Sequence, residues 1–122
     1  MPAVALCEYL TGVKPEKQRD VIASLSSRFV IHPFDVRCCS FAARLFSNGR
    51  SVVHPGKKGE RVCLRADTMI VATAAVYGAS VLYSADGRCR RLAPLVSPLR
   101  IEDLPSMPPD LFGYAGNGER PS

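Results

Sequence analysis

The chain has 122 residues, 47% of them hydrophobic and 22% charged, and 16 Lys and Arg against 11 Asp and Glu give a net charge of +5. That length supports one domain with one modest core, not two, and no apolar run is long enough to cross a bilayer. The N-terminus lacks the basic start and long apolar core of a signal peptide, which points to a reducing cytoplasm.

In chain order, residues 2–10 predict a short helix: Pro2 suits a first turn, Val4, Leu6 and Leu10 are apolar, and Gly12 stops it. Residues 15–27 predict a second helix, with Val21, Ile22 and Leu25 on one side. The compact apolar run 29–34, holding Val30 and Ile31, predicts a strand. Asp35 resembles an N-cap for a helix through Phe46, built on Val36, Phe41, Ala42 and Leu45 and ended by Asn48-Gly49. Residues 51–62 contain Pro55, two glycines, Lys57, Lys58 and Arg61, the composition of a loop.

A helix over about 65–77 follows, with Met69, Ile70, Thr73, Ala74 and Tyr77 at helical spacing and Gly78 as its C-cap. Residues 81–83 predict a strand, Asp86-Gly87 a turn and residues 89–93 one helical turn. Residues 95–101 predict a last, edge strand that Pro98 weakens. The domain therefore spans residues 1–104, and residues 105–122, with four prolines and three glycines, predict a mobile tail. Strands separated by helices imply crossover connections and an α/β fold with a mostly parallel sheet. Such sheets bind ligands beyond the carboxyl ends of their strands.

That rule draws attention to the acids. Asp67 opens an Ala-rich helix and Asp86 closes the next strand, an order that brings both to one sheet edge. Two carboxylates without a basic partner repel each other, and a divalent cation relieves the repulsion. Taken singly, Asp67 is a helix N-terminal acid, Asp86-Gly87 an ordinary turn pair and Glu8 a solvated helix residue; their joint occurrence is what suggests a site. The five cysteines, Cys7, Cys38, Cys39, Cys63 and Cys89, form no CxxC pair and predict buried free thiols, not a zinc or disulfide framework. His32 and His54 fit a strand end and a loop, and the HPGKKGER stretch lacks the Gly-Lys-Ser/Thr ending of a phosphate-binding loop.

Glu8 in AVALCEYLTG, Asp67 in LRADTMIVATA and Asp86 in LYSADGR together resemble the PIN-domain family, mostly metal-dependent nucleases that include VapC-type toxin ribonucleases. The family's Glu before Leu and Gly is matched by Glu8, Leu10 and Gly12, and its D-x-x-I-x-A-x-A helix by Asp67, Ile70, Ala72 and Ala74. Its Gly-Ala strand closing on Ser/Thr-x-Asp is matched by Gly78, Ala79, Val81, Leu82, Ser84 and Asp86. The likeness covers about residues 1–93. The family's opening strand, ending in Asp-Thr-Asn or Asp-Ser-Asn, has no counterpart, and Gly87 and Arg88 stand where many members carry another acid or Asn.

The resemblance implies a PIN-like three-layer α/β fold, N-terminally truncated, and a metal-dependent endoribonuclease, the toxin half of a toxin–antitoxin pair. It implies Mg²⁺ or Mn²⁺ held by Glu8, Asp67 and Asp86, with Ser84 fixing a carboxylate from behind. Lys57, Lys58, Arg61, Arg65 and Arg88 are the expected contacts to RNA phosphates, without sequence-reading power. An antitoxin and a second copy of the chain are the implied protein partners. The alternatives are a catalytically inactive truncated remnant acting as a protein- or RNA-binding module, and a true start upstream of Met1. A missing central strand exposes neighbouring edges, so the chain is expected to be marginal alone and to pair through them.

Overall fold

The computed structural model describes residues 1–53 and 58–104. It is a mixed α/β structure, mostly helical, with a small parallel sheet of two strands. The order is α1 (Ala3–Leu10), α2 (Pro15–Arg28), α3 (Val36–Val53), α4 (Lys58–Val76), β1 (Val81–Tyr83), α5 (Gly87–Arg91), a 3-10 turn (Ala93–Leu95) and β2 (Arg100–Glu102). No helix among the described residues is long and apolar enough to cross a membrane. The expected tail, 105–122, lies outside the described residues.

The core forms where α3 and α4 pack on each other and on the segment from α5 to β2. Leu45, Leu64, Val71, Leu92, Val96, Leu99 and Ile101 make one buried cluster. Leu64, Val71 and Leu92 are fully buried, each side chain contributing roughly 1.5–3 kcal/mol of transfer free energy. Helices α1 and α2 hold no buried residue, so the core is built from α3 onward, in the part of the chain that also carries Asp67 and Asp86.

Asp35 caps α3 as expected, its Oδ1 accepting the Cys38 N–H at 3.1 Å. The helix does not stop at Asn48-Gly49, however, but continues to Val53. Gly49 is buried, and a Cβ there would lie 2.9 Å from Leu92 Cδ2. The glycine permits close approach between α3 and the core; it is not a terminator. The predicted loop 51–62 is likewise corrected, since residues 51–53 finish α3 and residues 58–62 begin α4. Its Pro55 and Lys57 lie outside the described residues, as does His54.

Helix α4 ends as its sequence predicts. Gly78 takes a positive φ of 76°, the Gly78 N–H donates to Ala75 O, and the Ala79 N–H donates to Ala74 O. This is the doubly bonded glycine C-cap that satisfies the last free carbonyls. It turns the chain directly into β1.

Strand β1 pairs with β2 in parallel, Val81 opposite Arg100, Leu82 opposite Ile101 and Tyr83 opposite Glu102. In β2, Ile101 is buried between exposed Arg100 and Glu102, the alternation of a strand with one covered face. Residues 95–101 yield only this short strand, because the 3-10 turn and a Leu99 N–H to Val96 O bond occupy the first part. The predicted strand 29–34 does not form. It makes one parallel bridge, Pro2 to His32, with the His32 N–H donating to Met1 O and the Ala3 N–H to His32 O. Pro2 has no N–H to extend that ladder, and α1 begins at the next residue.

The sheet thus falls short of the larger parallel sheet expected. At the two ends of β1, Ser80 O and the Ser84 N–H bond to β2. Strand alternation turns the backbone groups of Val81 and Tyr83 to the opposite edge, where no strand lies among the described residues.

Candidate carboxylate site

Helix α4 and the corner between β1 and α5 bring two of the three singled-out acids together. Asp86 is the N-cap of α5: its Oδ1 accepts the Arg88 N–H at 2.8 Å, so the Asp-Gly pair starts a helix. Ser84 Oγ accepts the Asp86 N–H at 3.0 Å. Ser84 therefore fixes Asp86 through the backbone, not by touching its carboxylate. That cap turns Arg88 back over the acids, with Nε donating to Asp67 Oδ2 at 3.2 Å and Nη2 donating to Asp86 Oδ2 at 2.8 Å. The expectation of two acids lacking a basic partner is corrected here: Arg88 is that partner, and it is engaged with them, not extended toward solvent.

Asp67 itself is only 7% exposed. Because α4 begins at Lys58, Asp67 lies well inside the helix and does not open it. The favourable field of a helix N-terminus fades within the first turn, so the dipole does not account for a carboxylate at this position. Burial first, and then the neighbouring charge of Asp86, push its pKa above the ordinary carboxylate value against the opposing pull of Arg88. Desolvation outweighs the ion pair, and the ionised acid is held at a cost.

Cys89 completes the inner wall. Its thiol is buried and is pushed up to about 12 by burial and by the nearby charge of Asp67. A thiol so perturbed stays protonated. The sequence places it only among buried free thiols; its one further signal is its position a helical turn after Asp86.

The remaining expected residues fall elsewhere. Glu8 is exposed on α1, and among the described residues no three His, Cys, Asp or Glu side chains are grouped to hold a metal ion. Arg61 and Arg65 are exposed on α4, with Arg65 lying over the Phe46 ring at 5.2 Å. Arg50, which sequence reasoning passed over, approaches the same ring at 5.9 Å. Lys58 starts α4, while Lys57 is outside the described residues. His32 stacks on Tyr77 with ring centroids 4.5 Å apart, and the Tyr77 hydroxyl donates to Asp35 Oδ2 at 2.6 Å, which helps hold Asp35 well below the usual carboxylate range.

Volume does not mark the acids. A cleft of about 690 Å³ opens beside Ser80 and Arg100, where the two strands begin, and no acidic side chain lines it. Asp86 lies just beyond the other, carboxyl end of β1.

Two hard carboxylates, one of them desolvated, match what Mg²⁺ requires of a protein, namely one or two carboxylates with the remaining positions left to water and phosphate. Asp67 and Asp86 meet that minimum; Glu8 supplies no third ligand in this arrangement. No family model matches the chain, and no curated protein or solved structure matches it.

Proposed function

We propose that the chain is a PIN-type metal-dependent endoribonuclease in which Asp67 and Asp86 hold Mg²⁺ or Mn²⁺. The observation that carries this is the convergence of two acids, 19 positions apart in sequence and on separate elements, upon a single guanidinium. Asp67 is kept buried although burial opposes its ionisation, a cost that core packing alone gives no reason to bear. When bound, the cation supplies an acidified water and charge neutralisation at the scissile phosphate.

The chain's own residues do the rest. Ser84 and the α5 cap hold Asp86 in place, and the buried flank around Asp67 lowers the local dielectric and strengthens its interaction with positive charge. Exposed Arg61 and Arg65, with Arg50 beside them, offer positive charge to the phosphate backbone, in keeping with the net +5. PIN-like three-layer packing, a cytoplasmic location and the toxin role belong to the same proposal; the five free cysteines suit a reducing compartment. The open edge of β1, beside a groove of about 250 Å³ that includes Met1, His32 and Tyr77, suits an added strand from a second copy or from an antitoxin.

The test is cleavage of RNA by the purified chain with Mg²⁺ or Mn²⁺, compared with Asp67→Asn and Asp86→Asn. Wild type cleaves and both variants lose about 100-fold or more. RNA left intact by wild type, or cut equally by all three, overturns the proposal. The engagement of Arg88 favours a second reading, an inactive RNA-binding module, which predicts RNA retention by a chain that binds no Mn²⁺.

A further inference from the structure

We infer that Arg88 is a built-in occupant of the cation position, so that a divalent ion loads only when its guanidinium withdraws. This rests on the proposed metal role of Asp67 and Asp86 and adds a gate to it. The guanidinium lies between the carboxylates, at 3.2 Å from Asp67 and 2.8 Å from Asp86. It cannot shed its charge by deprotonation. A second positive charge between the same oxygens would meet it at close range, so the two compete for the site.

The exposure of the three side chains sets the direction of exit. The Asp67 side chain alone is 11% exposed, whereas those of Arg88 and Asp86 are 37% and 36% exposed. The guanidinium sits at the mouth, with Asp67 behind it, and can leave into solvent by side-chain rotation while the Asp86 cap keeps the Arg88 backbone fixed. The two carboxylates carry about −2, of which the guanidinium neutralises one charge, whereas a divalent cation in its place neutralises both. The arrangement therefore favours divalent over monovalent ions as displacing agents. A withdrawn Arg88 stays tethered two residues from Asp86, where the phosphate contact expected from the sequence becomes available to it.

The metal affinity of wild type is then reduced by the fraction of molecules in which Arg88 has withdrawn. Mn²⁺ titration followed by electron paramagnetic resonance tests this on the full chain, using wild type, Arg88→Ala, Arg88→Lys and Asp86→Asn. Arg88→Ala is expected to bind Mn²⁺ about 10- to 100-fold more tightly than wild type, the equivalent of one or two charge-assisted hydrogen bonds released. Arg88→Lys falls between them. Equal or weaker binding by Arg88→Ala, with Asp86→Asn still abolishing it, overturns the gate and leaves the metal site standing. Absence of binding in every variant removes both. A second measurement needs no variant: the Arg88 Nε–H resonance of wild type shifts on Mg²⁺ titration if the guanidinium withdraws, and a resonance unmoved at saturation contradicts the gate.

Discussion

Replacing Gly49 and Gly59 separately by alanine should change stability in opposite directions, although both glycines lie in helices. At Gly59 in α4 an added Cβ meets nothing within 4 Å. Alanine there restricts the unfolded chain and favours the helix, for a gain of about 0.4–1 kcal/mol. At Gly49 in α3 the same atom would lie 2.9 Å from Leu92 Cδ2 and 4.0 Å from Leu64 Cδ1. Leu92 and Leu64 are both 0% exposed, so neither has free space into which to retreat. Overpacking of this kind costs roughly 1–3 kcal/mol, against a helix-propensity gain of about 1 kcal/mol at most. The net is about 0–2 kcal/mol of destabilisation, and the two variants should differ by ~1–3 kcal/mol. Urea unfolding of the three proteins at one pH measures this directly. A Gly49→Ala protein as stable as Gly59→Ala would refute the close crossing.

Three further outcomes are expected. Leu92→Ala, which empties a fully buried position linking α5 to the core, should cost about 2–5 kcal/mol in the same assay; a loss near zero would mean that α5 is not anchored by this residue. Asp67 has a folded pKa raised above 3.8, so its contribution to stability falls as pH rises from about 3.8 through the folded value. Metal-free Asp67→Asn should accordingly be more stable than wild type at neutral pH and converge with it in acid, and denaturation at several pH values would expose the opposite trend. In native protein, iodoacetamide should modify exposed Cys7 and Cys39 rapidly and spare buried Cys38 and Cys89, with mass spectrometry locating the adducts; early labelling of Cys89 would contradict its buried, protonated state.

Local signals were legible where local interactions decide the outcome. The Asp35 cap, the Gly78 stop and β1 each depend on residues close in sequence, and each appears where the sequence puts it. Gly49 and the start of α4 are not legible locally: Leu92, distant in sequence, explains the glycine, and turn-rich composition masks the first part of α4. The run 29–34 has strand composition, but Phe29 and Val30 remain exposed, and among the described residues its one strand-like pairing is the isolated bridge to Pro2.

The site was legible in half. Asp67 and Asp86 meet as the helix-then-strand order anticipates, with Asp86 beyond the strand end, although Asp67 lies inside α4 and does not open it. Arg88 as their shared partner was not legible, because the Asp86 cap sets its direction and its other acid lies 21 residues away. Glu8 shows the opposite failure: a motif in the right order whose side chain remains on the exposed face of α1.

The most direct measurement is the rate of RNA cleavage as a function of Mn²⁺ concentration for wild type and Asp67→Asn. A saturable dependence in wild type, reduced about 100-fold or more in the variant, is the predicted result. A rate that ignores Mn²⁺, or survives the loss of the Asp67 carboxylate, would contradict a metal-holding role for this buried acid.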